Sequence, residues 1–277
     1  MVFVTPAAVY FLVFWIFPLL VASYYSFTSY DLVDAPVWIG LGNFQRLINS
    51  NEFHHSVLVT LEFTLATVVP TVVIALLVAL PLSRPDRFAI GLRGLLFIPT
   101  VMPLVASAVL WTVIYSNTGL ANIILNMVGH GPEPWLSNAD WALGSLVVMV
   151  IWKSLGLFVL IFMAGLQSIP SHVYEAAAID GSRAMRTFFQ ITLPMLRRTL
   201  LFVVVIAIIG AMQSFIPAYI LTRGGPSTAT EVLPMYLYNN AFAYTRMGYA
   251  SAIAVVLFVT MAALSRLQFS AFREHAA

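Results

Sequence analysis

The sequence predicts an all-α integral membrane protein with six transmembrane helices, and three observations lead there. Hydrophobic residues make up 61% of the 277-residue chain and charged residues 9%, against about 25% charged in an ordinary soluble domain. A soluble fold of this size could not hide so much apolar surface, whereas a bilayer solvates it. Six apolar segments are also long enough to cross, since a hydrocarbon core about 30 Å thick needs roughly 20 helical residues at about 1.5 Å each. Finally, twelve of the thirteen basic residues are arginines scattered between apolar segments, a distribution that reports membrane topology and not a binding patch.

The spans follow in order. The first, Val2 to Tyr24, has no basic residue before it and no small-residue cleavage site after it, so it is expected to remain as an anchor and not to leave as a signal peptide. Its abrupt start leaves room for a longer cytosolic tail before Met1. The second, Val57 to Leu80, carries Glu62 about one turn from one end, where a carboxylate snorkels to water. The third, Gly91 to Tyr115, contains Pro99 and Pro103, which lack amide donors and free the carbonyls of Leu95 and Pro99. The fourth, Trp141 to Gly165, contains Lys153, the chain's one lysine. An ammonium at mid-span costs about 2.5 to 3.5 kcal/mol, which the span's many Leu, Ile, Val and Phe side chains offset. The fifth, Thr199 to Thr222, holds Pro217, which frees the carbonyl of Gln213, and the sixth runs from Gly248 to Leu267. Backbone breaks inside a membrane persist only where protein or water satisfies the freed groups. They predict a cavity near Thr100, Ser107, Gln213 and Ser214.

The arginines set an orientation. With the amino terminus in the cytosol, one side carries Arg84, Arg87, Arg93, Arg183, Arg186, Arg197, Arg198, Arg266 and Arg273, and the other only Arg46, Arg223 and Arg246. Positive charge accumulates on the cytosolic side, so both termini and the long loop before the fifth span are expected there. Trp38, Trp135 and several tyrosines near the outer span ends read as interfacial anchors.

Several chemistries are excluded or unsupported. The absence of cysteine rules out disulfides, thiolate nucleophiles and cysteine-ligated metals. His54, His55, His130, His172 and His275 fall in loops or the tail without an i,i+4 pair, so no metal site is expected. Asp31 and Asp34 have no catalytic partner nearby in sequence and read as a polar loop. A net charge of +2 and a pI of 9.0, spread as they are, do not make a nucleic-acid surface. No internal repeat marks a duplicated secondary transporter.

The longest interval without a membrane-grade apolar run in the second half is Ser168 to Arg198. Pro170 can open a short helix, Gly181 can stop it, and Ser182 can cap a second short helix before Pro194. The three alanines 176 to 178 allow another backbone to come close, and Glu175 beside them offers a charge. Glu175, Ala176 and Ala177, then Gly181, then Ile191, Leu193 and Pro194 match the EAA-x3-G-x9-I-x-L-P signature of the membrane subunits of binding-protein-dependent ABC importers, with each interval intact. The chain also resembles the carbohydrate-importer branch of that family over most of its length. Ala164 to Pro170 precede the signature as they do there, Thr222 to Pro226 with Thr230 to Leu233 resembles its external TRGGP-type loop, and Gly248 to Ala252 opens the last span in the same style.

That resemblance implies an ABC importer type I permease fold, a single transmembrane domain over residues 1–277, and a cytosolic coupling loop over 166–198. It implies that Glu175, Ala176, Ala177, Asp180 and Gly181 couple to an ATPase, with Glu175 as polar anchor and Gly181 as bend. The chain holds no P-loop: before the sole Lys-Ser pair, Lys153 and Ser154, stands Trp152 where a glycine is required. ATP and Mg are therefore expected on two partner ATPase subunits, with no cofactor in this chain and no enzymatic step of its own. The family's architecture adds a second homologous permease in a heterodimer, an extracytoplasmic solute-binding protein, and a bacterial inner membrane. Trp152 and Lys153 can line the solute path, the indole stacking on a sugar. Alternatively, Lys153 pairs with a carboxylate or carbonyl of the partner permease and fixes packing. Gln213, Ser214 and Tyr219 form a second candidate set, although small polar residues in a span more often bond their own or a neighbouring helix. A sugar or related polyol is the expected solute. Glycerol-3-phosphate or glycerophosphodiesters are the alternative within the same machinery, and an ion-coupled transporter is the remote one.

Overall fold

The structure, a computed structural model, describes residues 4–83 and 87–273. Arg84 and His275, and the beginning of the first span at Val2, lie outside the described residues. In chain order the helices are α1 (Thr5–Tyr25), α2 (Gly42–Asn49), α3 (Asn51–Leu82), α4 (Arg87–Val101), α5 (Leu104–Ile114), α6 (Leu120–Met127) and α7 (Ala139–Gln167). They continue with α8 (Ser171–Ile179), α9 (Ala184–Met195), α10 (Arg197–Met212), α11 (Ala218–Thr222), α12 (Leu233–Tyr238) and α13 (Met247–Arg273). Two short antiparallel strands, β1 (Thr28–Ser29) and β2 (Val37–Trp38), sit between α1 and α2.

Each of α1, α3 and α7, together with the Met247–Gln268 part of α13, is long and apolar enough to cross a membrane alone. Two further helix pairs pass the same length and composition test only when taken together, each bent at a short break: α4 with α5, at 101°, and α9 with α10, at 69°. The third span is thus not the straight Gly91 to Tyr115 segment that hydropathy suggests. Hydropathy averages over a window and does not register that Pro103, in extended conformation (ψ 138°), begins a new helix. The fifth expected span is likewise interrupted, because α10 ends at Met212 and the helix resumes only after Phe215. Pro70, by contrast, sits inside α3 without ending it.

The chain divides into two units, Met1–Thr60 with Glu231–Leu267, and Leu61–Thr230 with Gln268–Ala277. In the first, Leu47, Phe53, Leu233, Tyr236, Tyr249, Ala252 and Ile253 form the core. Several buried polar groups there are paired, as burial favours, although the Ser56 hydroxyl finds no partner among the described residues. The Leu233 amide donates to Thr60 Oγ1 at 2.7 Å, and the Tyr236 and Tyr249 hydroxyls meet at 3.2 Å. Asn43 donates to the carbonyls of Ser26 and Thr28, which fixes the chain leaving α1. Gly248 lies against the Thr28 carbonyl so closely that any Cβ would collide with it. The Asp31 carboxylate accepts the amides of Asp34 and Val33, and these hold it below the usual carboxylate range. Asp31 and Asp34 are therefore parts of a turn, as their lack of catalytic company suggests.

In the second unit, α7 is the central helix. Asn138 caps it by accepting the Asp140 amide. Fully buried Asn122 on α6 donates to the carbonyls of Ser116 and Glu133 and accepts from the Glu133 amide and Trp135 Nε1. That one side chain closes the loop between α5 and α7. Tyr115, at the end of α5, donates to the Ser145 carbonyl on α7 at 3.0 Å.

Candidate functional site

Proline chemistry and helix ends build the first part of the site. A cavity of about 450 Å³ lies in the second unit, within the range of about 300 to 1,000 Å³ usual for small-molecule pockets. Its wall takes Thr67 and Thr71 from α3, Leu104 from the start of α5, Lys153 and Ser154 from α7, Gly210 and Ala211 from α10, and the break from Gln213 to Pro217. The expected cavity near Gln213 and Ser214 is therefore present, but Thr100 and Ser107 are not in its wall. Ser107 is buried within α5 and bonds the Pro103 carbonyl, and Thr100 faces α7.

Lys153 has a defined position. Its ammonium donates to the carbonyls of Pro99 (2.8 Å) and Thr100 (2.9 Å), at the end of α4. Both of these acceptors belong to its own chain, on α4, so the side chain ties α7 to α4. Trp152 lies outside the cavity wall and meets Trp111 edge-on at 5.5 Å. Tyr219 is also outside it, stacked on Phe215 at 5.1 Å. Of the five pathway candidates, the cavity gathers Lys153, Gln213 and Ser214.

The sequence reading missed Thr67 and Thr71. Both are buried, at 4% and 1% exposure. Thr71 Oγ1 donates back to the Thr67 carbonyl, whereas Thr67 Oγ1 has no partner among the described residues. A signal was available, because Thr64, Thr67 and Thr71 recur at i, i+3 and i+7 in an apolar span and so share a helix face.

The second part is the loop over 168–198. Helix α8 begins at Ser171, with Pro170 as the residue just before it and not in its first turn. It ends in a Schellman arrangement: the Ser182 amide donates to Ala177, the Gly181 amide to Ala178, and Gly181 takes φ +67°. Nothing crowds Gly181, so its glycine answers to backbone conformation and not to space. Ser182 does not cap the next helix. Arg183 occupies that position, and Ser182 Oγ instead accepts from Thr187. Helix α9 then runs past Pro194 to Met195, because a π turn at Phe188–Thr192 loosens the ladder before the proline.

On α8 the alanines divide. Ala177 is 6% exposed and turned into the chain, while Glu175, Ala176, Ala178 and Asp180 are exposed. Three consecutive residues, at roughly 100° each, cannot share one helix face, and Ala176 and Ala178, about 200° apart, flank the buried Ala177 on different sides of α8. Ile179, 87% exposed, stands beside them, with Met185 exposed on α9.

Apolar helices broken around a largely apolar cavity that carries a few polar side chains, with an exposed helix–turn–helix between two of them, fit a membrane transport component. Residues 56–272 match the family described as "Binding-protein-dependent transport system inner membrane component", and the chain belongs to that family. A Bacillus subtilis (strain 168) chain described as "Probable ABC transporter permease protein" is 38% identical over 272 residues, 96% of this chain and 88% of that one. The arabinooligosaccharides transport system permease protein of the same organism is 33% identical over 95% of this chain and 85% of its own. Among solved structures, a bacterial alginate ABC transporter in complex with an alginate pentasaccharide-bound periplasmic protein has a chain that superposes with a TM-score of 0.84. The identity there is 20%, over 96% of this chain and 91% of that chain. The fold is that of a type I ABC importer permease, and the chain is a transport component, not an enzyme.

Proposed function

We propose that this chain forms half of the translocation pathway of an ATP-driven importer of a sugar or related polyol. The observation that carries the solute class is the chemistry of the cavity wall. In a wall that is otherwise largely apolar, Thr67, Thr71, Ser154, Gln213 and Ser214 place a few neutral donors and acceptors, an arrangement that suits a polyhydroxylated solute with apolar ring faces. Lys153 is the one charged side chain among the described lining residues, and two of its three hydrogens are directed at backbone carbonyls. A phosphate would find one of the ammonium's three N–H groups left to donate and no second cation beside it among the described lining residues, which disfavours glycerol-3-phosphate and glycerophosphodiesters. The arabinooligosaccharide permease among the relatives supports the same class.

The coupling part of the proposal rests on the signature spacing and on the exposure of α8. Glu175, Ala176, Asp180 and Gly181 would meet an ATPase subunit, with Ala177 holding α8 to its own chain. The working assembly would hold this chain as one transmembrane domain, a second homologous permease, two ATPases carrying ATP and Mg, and an extracytoplasmic binding protein. Both termini would be cytosolic in a bacterial inner membrane. ATP would bias which gate is open, a coupling free energy between distant sites.

The solute class is tested by a thermal-shift screen of the cognate binding protein. A stabilising hit among mono- and oligosaccharides is expected. A hit with glycerophosphodiesters and none with sugars would overturn it.

A further inference from the structure

A continuous helix would satisfy the carbonyls of Pro99 and Thr100 with the amides of residues 103 and 104. Neither amide serves here. Residue 103 is a proline without an N–H, and Leu104 is the first residue of α5, set off at 101° from α4. In a membrane interior such orphaned carbonyls are costly unless another protein group reaches them. The Lys153 ammonium reaches both, at 2.8 and 2.9 Å, from α7. It places a cation at the carbonyl end of α4, where the helix dipole favours one.

Two neighbouring contacts hold the same pair of helices together. Thr100 Oγ1 donates back to the Lys153 carbonyl at 3.4 Å. One turn further along α7, Gly156 lies so near the Leu96 carbonyl of α4 that a Cβ there would overlap it. The broken third span is thus held in its bend from α7, at a point that is also cavity wall.

We propose that Lys153 is a positioning residue. Its ammonium substitutes for the two missing backbone amides of the α4–α5 break, and so fixes the bend that shapes the cavity. It serves transport through the position of α4 and α5, not through contact with the solute. The transport consequence rests on the permease reading, whereas the geometric one does not.

The test uses the assembled transporter with cysteine-free partner subunits, reconstituted in lipid. This chain has no cysteine of its own, so spin labels can be placed at two exposed positions, Ile98→Cys on α4 and Val148→Cys on α7. Lys153→Met is expected to lengthen and broaden the label distance. It is expected to lower the maximal uptake rate about tenfold with KM for the solute unchanged, since the loss of two charge-assisted bonds acts on geometry. Lys153→Arg, whose fork can serve two carbonyls, is expected to restore both distance and rate. Should Lys153→Met fail to accumulate, Lys153→Gln carries the same measurement, because its shorter neutral side chain does not span to both acceptors. An unchanged distance distribution in the variant would overturn the proposal. So would a raised KM with the maximal rate intact, which would put the ammonium on the solute. A shifted distance in a system that imports no sugar at all would leave the clamp standing and refute the sugar reading of the solute instead.

Discussion

The two proline-associated breaks in the second unit are repaired in different ways. At the α4–α5 break the freed carbonyls are met by Lys153, more than fifty residues away in sequence. At the α10–α11 break the Gln213 carbonyl, which Pro217 cannot serve, accepts the amide of Phe215 two residues on, at 2.8 Å. A break repaired from a neighbouring helix takes its angle from that neighbour. A break repaired by its own backbone keeps its shape alone, and its side chains can change without loss of the fold. On the proposed account the first break fixes the bend beside the cavity, and the second is where the proposed solute contacts would have room to vary.

The largest effect that separates the two breaks is the loss of maximal uptake rate expected for Lys153→Met. Next is Gly156→Ala. Its Cβ would overlap the Leu96 carbonyl and come within 2.9 Å of Thr100 Oγ1, so α4 must move away from α7. Overpacking of this kind costs about 1 to 3 kcal/mol, and the melting temperature of the purified assembly should fall accordingly. Gly210→Ala on α10 is the control for the second break. Its Cβ meets nothing within 4 Å, and replacing a helical glycine gains up to about 1 kcal/mol. Equal melting temperatures for the two variants would erase the distinction. The smallest effect is expected for Gln213→Ala. Because the repair there is a backbone bond, stability should stay within about 0.5 kcal/mol. The KM for the solute should rise roughly fivefold, the worth of about one hydrogen bond. A large loss of stability with KM unchanged would show that Gln213 serves the fold and not the pathway.

What the sequence disclosed follows the range of each interaction. Span positions were legible because hydropathy is a local sum, and the freed carbonyl of Pro99 was legible because Pro103 lacks its N–H in any context. The partner of that carbonyl was not, because the pairing with Lys153 is tertiary. The 101° bend was missed for the same reason, since a proline states that the ladder breaks and not which way the chain then turns. Gly181 was read correctly as a helix stop from its freedom at positive φ, while Ser182 was misread as a cap because Arg183 takes that position without a side-chain bond. Trp152 meets Trp111 edge-on outside the cavity wall, a tertiary contact that the sequence does not record. The two-residue strands near Thr28 and Val37 are too short to leave a periodic signal. The intact signature from Glu175 to Pro194 pointed to the family that residues 56–272 match.

The central claim is that α8 transmits ATP hydrolysis to a pathway through this chain. It is tested most directly in proteoliposomes that hold the complete transporter, with ATP inside and loaded binding protein outside. Glu175→Lys reverses an exposed charge on α8 and is expected to reduce uptake and binding-protein-stimulated ATP hydrolysis to background. The binding protein's own affinity for its solute should not change. Uptake by the variant at the unmodified rate would contradict the account.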